Sequence, residues 1–104
     1  MKKCAKKQNL LQVKVLISGR VQGVFYRWHT IQKANQLGLS GWVRNRRDGR
    51  VEALIIGPQK RIQTMLNWFW QGSPASKVEK VEVVSKEAID SDPFEGRFFR
   101  RPTC

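Results

Sequence analysis

From Gln12 onward apolar and polar residues alternate, with Val13, Val15 and Ile17 on one side and Lys14, Leu16 and Ser18 on the other. A period of two reads as a half-buried strand. Beyond a glycine-containing turn the spacing becomes helical, with Val24, Trp28, Ile31 and Ala34 or Leu37 on one stripe, and Gly38 supplies the stop. Trp42 to Arg46 and Arg50 to Ile56 read as two strands of a hairpin, because Arg47-Asp48-Gly49 between them carries turn residues. Gly57-Pro58 breaks the second strand and opens another helix, whose Ile62, Met65, Leu66 and Phe69 recur at i, i+3, i+4 and i+7. Trp68 and Trp70 lie off that stripe and are expected over the sheet edge or a loop. Gly72-Ser73-Pro74 ends the helix, and Lys77 to Ser85 is a fourth strand. Ala88 to Gly96 reads as a loop, and Arg97 to Arg101 as a short edge strand stopped by Pro102.

The order is strand, helix, strand, strand, helix, strand, with a terminal strand added. That is the ferredoxin-like split βαβ sandwich, an α+β fold (βαββαβ) with two helices on one face of a mainly antiparallel sheet. The domain is expected over residues 12–102, preceded by a basic leader over residues 1–11. Such a fold hosts enzymes, metal carriers and RNA-binding modules alike, so function must come from the residues of a site.

Charge sharpens the picture. The chain of 104 residues carries 20 Lys and Arg against 8 Asp and Glu, a net charge of +12. Such a field attracts anions, whether nucleic acid, acidic membrane or phosphorylated small molecules. Part of the excess lies in the leader, at Lys2, Lys3, Lys6 and Lys7. No apolar run approaches a membrane span, and the basic start lacks the apolar region of a secretory signal. Cys4 and Cys104 sit at opposite ends without metal-ligand spacing, as incidental thiols of a reducing cytoplasm do. A cytoplasmic location is therefore expected.

The candidate chemistry lies at the first strand–helix junction, Gly19-Arg20-Val21-Gln22-Gly23-Val24-Phe25-Tyr26-Arg27. The first N–H groups of a helix have no intrahelical partner, and its positive dipole end faces the loop, so the junction suits an anion. Gly19 and Gly23 allow a sharp turn and a close backbone approach. Arg27 adds a permanent charge with a planar fork of donors. The competing reading is a plain connection followed by a solvated arginine. In a βαβ unit the two strands run parallel, so the first strand's end and Asn45 fall at one edge of the sheet. The Asn45 amide can both donate and accept, which suits it to orient a water; otherwise it is a polar strand end that begins the turn. His29 has no carboxylate or cysteine partner in view, and no nucleophile or metal-ligand cluster is apparent.

The junction motif resembles the signature loop of the acylphosphatase family. Leu37-Gly38-Leu39-Ser40-Gly41-Trp42-Val43-Arg44-Asn45, followed by Asp48-Gly49-Arg50-Val51-Glu52, resembles its second signature. The likeness continues through Gly57-Pro58 and Gly72 to Val78, and spans about residues 12–101. It implies a ferredoxin-like fold and metal-independent hydrolysis of the carboxyl–phosphate bond of acyl phosphates, with no cofactor. It implies that Arg27 binds phosphate, that Asn45 orients water, and that Val21, Gln22, Gly23, Val24, Phe25 and Tyr26 form the substrate-binding backbone. A small acyl phosphate is then the partner, inorganic phosphate or sulfate a product-like ligand, and a monomer the expected state. Tyr26 stands where family members often carry phenylalanine, which should preserve packing. Arg46 and Arg47 make the second loop unusually basic, which leaves substrate preference open. Two other readings compete. A nucleic-acid-binding module of this fold would stack bases on aromatics of its central strands, but Lys14, Leu16 and Ser18 supply none. A silent domain that binds carbamoyl-phosphate-like ligands or assists a larger enzyme is disfavoured by the chain's end soon after the last strand.

Overall fold

The computed structural model describes residues 10–104. Its elements are β1 (Leu10–Arg20), α1 (Tyr26–Gln36), β2 (Ser40–Asn45), β3 (Val51–Gly57), α2 (Gln59–Gln71), β4 (Lys77–Ile89) and β5 (Phe98–Arg100). They form one five-stranded sheet in the order β4-β1-β3-β2-β5. β1 runs antiparallel to both β3 and β4, β3 antiparallel to β2, and β5 parallel to β2. Both helices lie on one face, so the fold is the expected ferredoxin-like α+β sandwich. β1 begins at Leu10, so it takes in the last two residues of the stretch read as leader, while Cys4 and the four leader lysines lie outside the described residues. Among the described residues no helix is long and apolar enough to cross a membrane.

The period-two residues of the central strands make the core. Val13, Val15 and Ile17 of β1, Val43 of β2, and Val51, Ala53 and Ile55 of β3 face the helices. α2 answers with Ile62, Met65 and Phe69 buried and Leu66 packed beside them, as its spacing predicts. Trp68 also joins this side, with its ring 5.5 Å from that of Tyr26, whereas Trp70 is exposed.

α1 departs from its predicted stripe. It buries Tyr26, Thr30 and Ala34, while Trp28 is 57% exposed. Val24, Ile31 and Leu37 are only partly buried against the core. The apolar count misplaces the stripe because two inward residues carry hydroxyls. Those hydroxyls are satisfied internally, as buried polar groups must be. Tyr26 Oη donates to the Phe69 carbonyl at 2.8 Å, and Thr30 Oγ1 donates to the Tyr26 carbonyl at 2.7 Å.

β4 continues past Ser85 to Ile89, replacing the start of the expected loop. Lys86 and Glu87 hide the strand pattern, but the backbone pairs in register with Leu10 to Val13 of β1. On the face away from the helices, Trp42, Leu54 and Ile56 form a second small cluster with Leu10, Ile89 and Phe94. The Arg44 and Arg101 guanidiniums each lie 4.8 Å from the Trp42 ring. Past β5 the chain stays against β2: Arg101 N–H donates to Val43 at 2.9 Å and Cys104 N–H to Asn45 at 3.1 Å.

Candidate active site

β1 and β2 are both antiparallel to the β3 between them, so they run parallel and end at the same side of the sheet. The loop after β1 is shaped by left-handed backbone. Gly19 has φ +122° and Gly23 φ +73°. A Cβ at Gly19 would meet the Lys77 carbonyl and the Glu79 amide of β4, so a glycine is required there. Phe25, the N-cap of α1, also has positive φ, at 60°, an unusual state for a side-chain-bearing residue. Among the described residues no side chain caps the start of α1, and its first turn contains no acidic residue. The helix therefore opens onto the loop with its donors and dipole uncompensated by side chains.

A pocket of about 240 Å³ lies at this junction, lined by Val21, Gly23, Phe25, Tyr26, Arg27, Trp28 and Arg100. It thus gathers most of the loop residues singled out in the sequence. Tyr26 anchors the helix start, its side chain buried in the core. Phe25 and Trp28 leave their rings exposed at the rim, at 78% and 57%. Burial first, and the Arg100 guanidinium second, pull the Arg27 pKa down from its ordinary value. An arginine keeps its charge at neutral pH even so.

Two of the expected loop residues sit differently. Val24 packs on the core, and its carbonyl accepts a hydrogen bond from Ser73 Oγ at 2.9 Å. Gln22 sends its side chain away from the pocket. Its Nε2 donates to the Arg46 carbonyl at 2.7 Å and the Arg50 carbonyl at 2.8 Å. One amide thereby ties the loop to both sides of the β2–β3 turn.

Asn45 is the last residue of β2, just before that turn, and does not line the pocket wall. Its Oδ1 is buried and accepts no hydrogen bond among the described residues. A buried acceptor in that condition costs about 1–3 kcal/mol unless a donor reaches it. The Gln22 clamp holds it near the loop, since Arg46 follows it directly.

Two features escaped the sequence reading. Gln22 is expected only for its backbone, and no local signal announces the tie its side chain makes to the Arg46 and Arg50 carbonyls. Arg100 comes from the far end of the chain, and its only signal is that it lies two residues beyond Phe98 in the last strand.

Fold and junction are those of a small ferredoxin-like domain with a cationic pocket where its first strand meets its first helix. Over residues 13–98 the sequence matches the acylphosphatase family. An acylphosphatase of Acaryochloris marina is 47% identical over 87 residues, which is 84% of this chain and 94% of that protein. The structure of an acylphosphatase from Coxiella burnetii matches with a TM-score of 0.78 at 35% identity, covering 89% of this chain and 94% of that one. The acylphosphatase of Bacillus subtilis matches with a TM-score of 0.77 at 38% identity, covering 88% and 98%. The chain belongs to the acylphosphatase family, hydrolases that act on acyl phosphates.

Proposed function

We propose that this chain cleaves the carboxyl–phosphate bond of acyl phosphates, with Arg27 and the loop from Val21 to Tyr26 holding the phosphoryl group and Asn45 directing the water. The observation that carries the reading is the pocket at an uncapped helix start, with Arg27 in its wall. Backbone N–H groups and a guanidinium aimed at one place neutralise the equatorial oxygens of a loose phosphoryl-transfer transition state. They act without reorganising, because Gly19, Phe25 and the Gln22 clamp hold the loop in shape.

Water attacks phosphorus in line, the P–O bond to the acyl oxygen breaks, and the carboxylate departs with the electron pair. The water proton passes to a phosphate oxygen of the substrate. No protein base is required, because a carboxylate is a good leaving group. Asn45 contributes orientation: its unsatisfied Oδ1 is an acceptor suited to fix one hydrogen of the water. We further take the protein to be a monomer of the reducing cytoplasm, where a cysteine that is exposed and unpaired among the described residues, as Cys104 is, persists as a thiol.

The nucleic-acid reading gains nothing from the open-face aromatic of the strand next to β3. Trp42 is buried, with the Arg44 and Arg101 guanidiniums against its ring, so it offers no ring for base stacking.

The test is release of inorganic phosphate from acetyl phosphate with a chelator present. Wild-type protein should turn over undiminished by the chelator, and Arg27→Ala should lose both phosphate affinity and turnover, by ~100-fold or more in rate. Failure of wild-type protein to release phosphate, or full activity in Arg27→Ala, would refute the reading.

A further inference from the structure

Arg100 has no part in the chemistry above, yet it faces the same pocket as Arg27. It is the last residue of β5 and lies across from Val43 in the parallel register. The period of two turns it to the side of Phe98, which is buried against the helices, and away from the side of Phe99. Its neighbour Arg101 turns to the other face, over Trp42. Asn45 lies two residues beyond Val43 on β2 and so faces the same side as Arg100.

The two guanidiniums reach the pocket from different elements, Arg27 from the first turn of α1 and Arg100 from β5. The lining contains no Asp or Glu, and no carboxylate among the described residues forms an ion pair with either arginine. Like charges facing one small pocket repel; burial first and Arg100 second lower the Arg27 pKa. Anions relieve that repulsion, and two cations carried by different elements can each take one anionic group of a ligand that has two. The same lining also has an apolar part, the exposed rings of Phe25 and Trp28.

We propose that Arg100 is a specificity-determining residue that pairs with a second anionic group on the acyl chain, so that the preferred substrates are monoacyl phosphates of dicarboxylic acids. The inference rests on the reading of this pocket as an acyl phosphate site. The phosphoryl group sits on the loop and Arg27, a short carbon chain crosses the rim, and its free carboxylate meets the Arg100 fork. Arginine recognises a carboxylate well, because its planar donors match both oxygens.

The experiment compares succinyl phosphate with butyryl phosphate, which has the same chain length but ends in a methyl group. Wild-type kcat/KM should favour succinyl phosphate by about tenfold at low salt, the scale of one partly exposed charge-assisted contact, and the preference should shrink as salt rises. In Arg100→Gln the ratio of the two constants should fall towards one, and Arg100→Lys should restore part of it. Melting temperatures of both variants should stay near that of wild-type protein, since Arg100 is exposed. Equal losses on both substrates would put Arg100 in the phosphate cradle and overturn the proposal. So would a wild-type ratio near one that Arg100→Gln leaves unmoved. In both cases the acylphosphatase reading survives. Wild-type protein that cleaves neither substrate overturns both.

Discussion

Replacing Gln22 by alanine should detach the loop from the β2–β3 turn. The wild-type amide makes two donor contacts, at 2.7 and 2.8 Å, to the carbonyls of Arg46 and Arg50. Each neutral hydrogen bond of this kind contributes roughly 0.5–1.5 kcal/mol net, so the pair accounts for about 1–3 kcal/mol. Among the described residues the Arg46 carbonyl has no backbone donor other than Gly49 N–H, at 3.1 Å, so little replaces the lost contact within the turn. In a domain of about 100 residues 1 kcal/mol shifts the melting temperature by about 4–8 °C, so Gln22→Ala should melt about 4–24 °C lower. Gln22→Glu should do worse at neutral pH, because it sets a carboxylate against two carbonyl oxygens. The functional consequence is separable from the thermal one. With the clamp gone, the relative placement of Asn45 and the loop slackens, and a misplacement near 1 Å can cost about 100-fold in rate. Calorimetry and steady-state kinetics well below the melting temperature would measure the two effects independently. A Gln22→Ala protein with unchanged melting temperature and unchanged kcat would show that the clamp neither stabilises the loop nor positions the site.

Other consequences follow from residues nearby. Burial raises the pKa of Tyr26, the chain's one tyrosine, above its ordinary value near 10. Its stabilising contribution is therefore complete below pH 10 and declines above it, as the unfolded phenol ionises first, by at most about 1.4 kcal/mol per pH unit. Tyr26→Phe should lose roughly 1 kcal/mol at neutral pH with its bond to Phe69, and denaturant melts should show a shallower alkaline decline; parallel curves from pH 9 to 11 would contradict this. Gly19→Ala should cost about 2–4 kcal/mol, because both its positive φ and the β4 backbone exclude a Cβ, and a urea midpoint equal to wild type would refute that account.

The fold was legible because its signals are local and repeated. Val13, Val15 and Ile17 alternate, and Ile62, Met65 and Phe69 recur at helical spacing, so β1 and α2 could be read directly. The end of β4 was not, because its pairing with Leu10 to Val13 is a long-range backbone match that Lys86 and Glu87 do not advertise. Trp28 misled for a different reason. Hydrophobicity predicts a buried indole, but the helix phase is set by Tyr26 and Thr30, whose hydroxyls find carbonyl partners inside. In the site, the glycine loop and Arg27 are contiguous in sequence and were visible as a unit. Gln22 and Arg100 meet residues far from them in sequence, Gln22 at the β2–β3 turn and Arg100 at the pocket. Their partners depend on where β3 and β5 fall beside β2, which no short motif encodes.

The division of labour between Arg27 and Asn45 is the centre of the account, and Asn45→Ala tests it most directly. Turnover of an acyl phosphate and competitive inhibition by inorganic phosphate should be measured on the same folded protein. If Asn45 directs only the water, kcat should fall by ~100- to 1,000-fold while the inhibition constant for phosphate stays within about twofold of wild type. Near-normal turnover in Asn45→Ala, or a loss of phosphate affinity like that expected for Arg27→Ala, would contradict the assignment.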